Sequence, residues 1–186
     1  MRGLFTAGVI DVLMENNIQF SGAVGVSAGA AFGCNYKSGQ IGRVIRYSKR
    51  FAKDWRYASW RSLITTGDYF GAEYAYHFIP NKLDVVDFEA FRNNPMEFWA
   101  VATNVGSGEA VYRQLKTLDH EELEFVRASA SMPLASKIVK LNGQRLLDGG
   151  VADSIPLAFF QKQGYERNVV VLTQPKGYKK QPNKLM

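Results

Sequence analysis

The spacing of apolar residues along the chain predicts an alternation of helices and strands. Apolar positions 5, 9, 12 and 13 share one face of a helix, which ends near Asn16 and Asn17. A short apolar strand is predicted at 20–24, and it leads without a loop into an apolar helix at 30–36. A further helix is predicted at 40–52. This alternation is typical of an α/β fold.

The second half of the chain is predicted to add two hairpins, two helices and a buried strand. Strands at 97–103 and 109–115 flank a turn, and a second hairpin spans 138–147 around Asn142-Gly143. The predicted helices are at 118–131 and after Pro156, and the apolar run 168–173 is typical of a buried parallel strand.

Length and composition limit the class of protein. With 186 residues, 46% of them hydrophobic, we expect a single domain at 1–174 and a basic flexible tail at 175–186. No apolar run approaches the ~20 residues that span a bilayer. The single cysteine, Cys34, suits a reducing compartment and predicts a cytoplasmic protein. Two histidines and one cysteine give no metal-ligand cluster, so we expect no metal and no cofactor.

The net charge of +6 indicates solubility or an anionic partner. No zinc-finger or RNA-binding motif accompanies it, which argues against nucleic acid. Arg43, Arg46, Arg50 and Lys53 recur on one side of the predicted helix, ahead of an aromatic-rich stretch. The pattern favours a solvated helix face beside an aromatic core. The alternatives are peripheral contact with an anionic membrane and the lining of an acyl pocket.

The stretch Gly25-Val26-Ser27-Ala28-Gly29 lies where a predicted strand turns directly into a helix. Such a corner is sharp and strained, and it holds the central side chain above the sheet edge beside the first N–H groups of the helix. Gly25 and Gly29 allow strand and helix to pass in close contact. The pattern predicts Ser27 as an activated nucleophile, and the alternative is a Gly/Ala-rich junction with an incidental serine.

Asp148 is the carboxylate predicted to act with Ser27. It stands where an apolar strand ends, and Gly149 and Gly150 let the backbone bend sharply after it. A carboxylate within hydrogen-bond reach of a serine hydroxyl can accept its proton without a histidine. The alternative is an ordinary turn aspartate.

A histidine-dependent triad is the competing arrangement. In the order serine, acid, histidine, it would need Asp84 or Asp87 together with His120. His120 lies in an acidic stretch that reads as an exposed helix start, which argues against this role.

The stretches 25–29 and 148–150 occur together with Arg2-Gly3-Leu4 and the segment 127–133. This combination resembles the patatin-like phospholipase family, closest to its compact bacterial members. The resemblance implies a three-layer α/β/α sandwich with a mainly parallel central sheet and a nucleophile elbow. It also implies a Ser-Asp dyad of Ser27 and Asp148 that hydrolyses a lipid or another acyl ester through an acyl-enzyme. The N–H of Ala28 would stabilise the oxyanion, with Arg2 and Gly3 at the rim of the oxyanion loop.

Family members carry a strand and several glycines before the Arg-Gly pair, whereas this sequence starts at Met1-Arg2-Gly3. We therefore expect a truncated chain, shortened at the N-terminus and also at the C-terminus. Two functional hypotheses follow: an active serine acyl hydrolase, or a catalytically impaired fragment that keeps the fold and binds lipid or a partner. The absent strand would leave sheet edges unpaired, which predicts self-association.

Overall fold

The structure is a computed structural model that describes residues 3–175, 177 and 178. Helices and strands alternate along this range, as the apolar spacing predicts. In chain order the elements are α1 (Gly3–Glu15), β1 (Gly22–Val26), α2 (Ala28–Lys37), α3 (Arg43–Phe51), α4 (Trp60–Thr66), a π-helix (Tyr74–Leu83), α5 (Phe88–Asn93), β2 (Glu97–Asn104), β3 (Ala110–Leu115), α6 (His120–Ser129), β4 (Val139–Leu141), β5 (Gln144–Asp148), a 3-10 turn (Gly149–Val151) and α7 (Leu157–Lys162).

The central sheet is mixed, so the expectation of a mainly parallel sheet is wrong for the described strands. β2 pairs in parallel with β1 and antiparallel with β3 and β5, and β4 pairs antiparallel with β5. Two of the antiparallel pairs are hairpins, in which a short turn forces adjacent strands to run in opposite directions. The third arises because β5 returns from its hairpin against the direction of β2.

Helices pack on both faces of the sheet. Phe98, Ala100 and Ala102 of β2 alternate onto one face, where they join a core with α2 and α6. On the other face Phe159 of α7 stacks on Tyr112, with ring centroids 3.9 Å apart. A mixed sheet with helices on its faces is an α/β fold. The complete three-layer α/β/α sandwich stays a prediction.

Cys34 lies inside the core that α2 forms with the sheet. It is 5% exposed, and burial raises the pKa of its thiol to about 12. A thiol held neutral in this way is a packing group with little reactivity.

The predicted strand at 168–173 does not form. Val169, Val170 and Leu172 are exposed at 68%, 44% and 53%. An apolar run becomes a strand only where a neighbouring strand accepts its backbone hydrogen bonds, and no strand pairing is described for this segment. Most of the tail predicted at 175–186 lies outside the described residues.

The basic side of α3 is solvated in part, because Arg46, Arg50 and Lys53 are exposed and Arg43 is buried. Arg43 is only 3% exposed, and it pairs with the Asp84 carboxylate and donates to Oδ1 of Asn35. Arg46 donates to both carboxylate oxygens of Asp84 at 2.9 Å. Arg43 and Arg46 thus form ion pairs with Asp84 that hold α3 in place. Membrane contact by the exposed part of this basic side stays a prediction.

The described helices are all short relative to a bilayer. The longest α-helix, α1, has 13 residues, against the ~20 that cross the hydrocarbon core. Among the residues that the structure describes, no helix is both long and apolar enough to span a membrane.

Candidate active site

The two predicted site residues meet because of how β1 and β5 lie along β2. β1 pairs with the first half of β2 and ends at Val26 opposite Val101. β5 runs the other way and ends at Asp148 opposite Ala102, the next residue of β2. The two strands therefore point at each other, and the residue after β1 faces the last residue of β5.

Ser27 occupies the strained corner that the glycine pattern predicts. Its φ of 56° and ψ of −120° lie outside the usual regions for an L-residue. Gly25 is required here because a Cβ on it would strike the backbone of Gly29 and Ala30. The carbonyl of Ser27 accepts from the N–H of Ala30 at 3.0 Å, which closes the first turn of α2.

The first N–H groups of α2 are available to bind an anion, as at the start of other helices. Ala28 and Gly29 begin the helix, and the first amides of a helix have no carbonyl acceptor within it. These amides adjoin the Ser27 side chain, where negative charge would develop on a bound carbonyl oxygen. Gly3, at the start of α1, packs against this point, since a Cβ on it would lie 2.9 Å from Cβ of Ala28. Arg2, the other residue expected at this rim, lies outside the described residues.

The Ser27 hydroxyl donates a short hydrogen bond to the Asp148 carboxylate. The distance from Oγ to Oδ2 is 2.6 Å. The other carboxylate oxygen, Oδ1, accepts from the N–H of Gly150 at 2.7 Å. Asp148 is 7% exposed, so this contact is shielded from bulk water.

The backbone around Asp148 is fixed from two sides. Its N–H donates to the carbonyl of Ser131 at 2.8 Å, and its carbonyl accepts from Oγ1 of Thr103 at 2.8 Å. Gly149 lies so close to the backbone of Val101 that a Cβ would not fit. These contacts hold the carboxylate in a single place relative to β2.

Ser129 contacts the predicted nucleophile, a contact that the sequence did not reveal. Its Oγ accepts from the N–H of Ser27 at 3.0 Å, and the residue is completely buried. The interaction ties the C-terminal end of α6 to the elbow. A signal was present in the alternation Ala128-Ser129-Ala130-Ser131, because a serine at a buried helix end needs a hydrogen-bond partner.

Tyr76, on the π-helix, is a second neighbour that the sequence did not single out. Burial, then Tyr57, then the Asp148 carboxylate raise the pKa of its phenol well above the ordinary value. The raised pKa keeps the phenol neutral within the electrostatic reach of Asp148.

The groups of the competing triad are engaged elsewhere. Asp84 pairs with Arg43 and Arg46, and Asp87 caps α5 by accepting from the N–H of Ala90 at 2.8 Å. His120 is exposed and stacks on His77, with ring centroids 4.6 Å apart. In the described residues, neither acid that the triad would need bonds to His120, and no group of three or more potential ligands is arranged to hold a metal.

Comparison with known proteins agrees with these motifs. The family model described as patatin-like phospholipase matches residues 1–160. An uncharacterized NTE family protein of Mycobacterium tuberculosis is 27% identical over 157 residues, which are 84% of this chain and 42% of that protein. The uncharacterized protein YjjU of Escherichia coli is 28% identical over 193 residues, which cover 94% of this chain and 49% of that protein.

A relative with a named activity also matches. The lysophospholipase NTE1 of Meyerozyma guilliermondii is 25% identical over 181 residues, which cover 91% of this chain and 12% of that protein. The chain thus spans less than half the length of each of these three relatives.

Proposed function

Because the chain belongs to the patatin-like phospholipase family, we propose that it is a serine acyl hydrolase that cleaves lipid esters with Ser27 as nucleophile and Asp148 as base. The 2.6 Å hydrogen bond from Oγ of Ser27 to Oδ2 of Asp148 is the observation that carries the proposal. A carboxylate held at this distance can take the hydroxyl proton as the oxygen attacks.

In the first half of the reaction, Oγ of Ser27 attacks the ester carbonyl carbon and its proton passes to Oδ2 of Asp148. The carbonyl oxygen becomes an oxyanion, which accepts from the N–H of Ala28 at the start of α2. Preorganised donors of this kind contribute ~10²–10³ in rate. The intermediate then collapses, the C–O bond to the alcohol breaks, and Asp148 returns the proton to the departing alkoxide.

In the second half, water attacks the acyl-enzyme. Asp148, again ionised, accepts a proton from the water as the water oxygen bonds to the acyl carbon. The bond to Oγ then breaks, Ser27 recovers its proton from Asp148, and a fatty acid leaves. The same carboxylate therefore serves both halves, so no histidine is required.

The substrate class that we propose is a phospholipid with one acyl chain. The support is the relative named a lysophospholipase, which matches 91% of this chain.

The decisive test combines turnover with covalent trapping. Hydrolysis of a short-chain p-nitrophenyl ester is measured for the parent chain and for Ser27→Ala, and both are treated with a fluorophosphonate that bonds to activated serines. We expect the parent to turn over and to gain the phosphonyl mass on the peptide containing Ser27. Ser27→Ala should lose at least about 10³ in kcat and gain no mass.

Four results would count against the proposal. Labelling of a different serine in the parent, or unchanged turnover in Ser27→Ala, would remove Ser27 as the nucleophile. A large loss of turnover in His120→Ala would instead favour the histidine-dependent triad. A parent chain that neither turns over nor reacts would support the catalytically impaired fragment.

A further inference from the structure

A patch of exposed apolar side chains lies on α4 and on the turn at 132–135. Trp60 and Ile64 share one face of α4 and are 73% and 83% exposed, and Leu134 is 79% exposed. Tyr69 joins the two segments, because its ring packs edge-on against Trp60 at 5.9 Å and its N–H donates to the carbonyl of Ala135 at 2.8 Å. We call Trp60, Ile64 and Leu134 the α4 patch.

Leu134 is held in a backbone conformation that favours glycine. Its φ is 67°, in the left-handed region, where a leucine costs about 1 kcal/mol or more. The turn is closed by a hydrogen bond from the N–H of Ala135 to the carbonyl of Met132 at 3.1 Å. Because the Leu134 side chain is 79% exposed among the described residues, its packing there does little to offset the strain, which points to a contact outside the fold.

One end of the α4 patch is connected to the candidate active site through a short stretch of chain. The turn that carries Leu134 begins directly after Ser131, whose carbonyl accepts from the N–H of Asp148 at 2.8 Å. Three residues of chain span at most about 11 Å. Leu134 of the α4 patch therefore lies within about that distance of Ser131, which holds the backbone of Asp148.

Basic side chains border the α4 patch. Arg61 is exposed on α4, and its guanidinium lies 4.3 Å from the ring centroid of Trp55, which is itself 43% exposed. The exposed Lys137 runs past Gly67, the residue after α4. Indole rings and cations around an apolar centre match the boundary between phospholipid headgroups and acyl chains.

We propose that the α4 patch docks the protein on an anionic phospholipid bilayer. Trp60, Ile64 and Leu134 enter the boundary between headgroups and acyl chains, while Arg61 and Lys137 contact lipid phosphates. The docking places the Ser27 site at the membrane surface, where its lipid substrate resides. The inference extends the proposed hydrolysis, but vesicle binding needs no turnover, so either can fail while the other stands.

A bilayer fits the α4 patch better than a protein partner does. Three side chains cover roughly a few hundred Å², whereas a stable protein interface takes about 800 Å² from each partner. A membrane adapts to a small protruding patch, and its affinity comes from insertion together with electrostatic attraction.

The test is partitioning of the protein onto vesicles, measured by sedimentation. Vesicles of phosphatidylcholine are compared with vesicles that also contain phosphatidylglycerol. The test variant combines Trp60→Ser, Ile64→Ser and Leu134→Gly, the last of which suits the left-handed backbone and protects the fold. The matched control combines Ile41→Ser and Val85→Ser, which remove apolar side chains that are 47% and 53% exposed on other segments.

We expect the parent to bind the anionic vesicles more tightly, and the patch variant to lose at least about tenfold in partition coefficient while the control stays within about twofold. Arg61→Gln with Lys137→Gln should reduce the preference for phosphatidylglycerol. All of these variants should keep the parent's turnover of a soluble short-chain ester. Equal binding by parent and patch variant, equal losses in test and control, or no binding by the parent would overturn the proposal. So would a parent dimer that the patch variant abolishes, since the occupant would then be a second copy.

Discussion

Two carboxylates near α6 have different partners, and the partners decide what each can do. Asp148 accepts from the Ser27 hydroxyl and from the Gly150 amide. Glu124, on α6, accepts from the Arg127 guanidinium and meets Nε2 of His77 at 2.6 Å. Burial raises the pKa of Glu124, but the hydrogen bonds from His77 and Arg127 outweigh it and lower the pKa to about 2.

The comparison shows why proximity to a carboxylate does not make a base. Glu124 is a poor proton acceptor because the hydrogen bonds from His77 and Arg127 stabilise its charged form. Asp148 faces a neutral hydroxyl that can release a proton to it. We therefore expect substitutions at the two sites to divide cleanly, with activity lost at one and stability lost at the other.

The largest effect is expected at the base. Asp148→Asn keeps the shape of the side chain but removes its capacity to take the Ser27 proton, so kcat should fall by at least about 10³. The free energy of unfolding, measured by urea titration, should change far less than for substitutions at Glu124. If Asp148→Asn instead lowers the free energy of unfolding as much as Glu124→Gln and leaves kcat unchanged, Asp148 has a structural role like that of Glu124.

The second effect is on stability at Glu124. Glu124→Gln leaves the Arg127 guanidinium without its counter-charge, so the free energy of unfolding should fall by about 2 kcal/mol while kcat stays near the parent value. Glu121→Gln is the matched control, since Glu121 pairs with Arg113 on the exposed side of the same helix. Equal losses of stability in Glu124→Gln and Glu121→Gln would contradict a special structural role of Glu124.

A smaller effect is expected where α6 meets the elbow. Ser129→Ala removes the acceptor for the N–H of Ser27, so the corner is positioned less firmly and kcat should fall by about tenfold with little change in KM. Ser131→Ala is the control, because Ser131 is equally buried but its hydroxyl donates to the Arg127 carbonyl and makes no contact with Ser27. Loss of kcat in both variants alike would indicate a general effect of the helix end.

The last effect is a dependence of stability on pH. Because the pKa of Glu124 is about 2 in the folded chain and ~4.3 in an unfolded one, the unfolded state binds the proton more tightly. The stabilisation is complete above roughly pH 4.5 and is lost as the pH falls toward 2. Urea titrations across this range should show a shallower pH slope for Glu124→Gln than for the parent, and parallel slopes would remove Glu124 as the cause.

The nucleophile corner and its carboxylate could be proposed from sequence because their constraints are local. A glycine is needed where strand and helix backbones touch, and Gly25 shows that contact directly. The hairpin at Asn142-Gly143 likewise has its own turn signal, and it delivers the chain to Asp148. What the sequence could not supply is the end-to-end meeting of β1 and β5 on β2, which depends on pairing between distant segments.

The aromatic-rich middle of the chain was the least predictable region. α4 and the π-helix Tyr74–Leu83 lie there, and the π-helix contains Pro80, which normally argues against a helix. The burial of Arg43 follows from Asp84, 41 residues away, so helical spacing alone placed it on the wrong side. The run at 168–173 shows the same limit, because its apolar residues predict a strand only if a partner strand lies beside them.

The hydrogen bond from the Gly150 amide to Oδ1 of Asp148 has a spectroscopic consequence. An amide proton that points at a carboxylate oxygen changes its chemical shift when the charge on that oxygen changes. Acylation of Ser27, or transfer of its proton to Oδ2, would alter the electron density on Oδ1 of the same carboxylate. The nitrogen–proton resonance of Gly150 is therefore a native reporter on the charge of Asp148, and it can be followed by NMR without placing a label in the site.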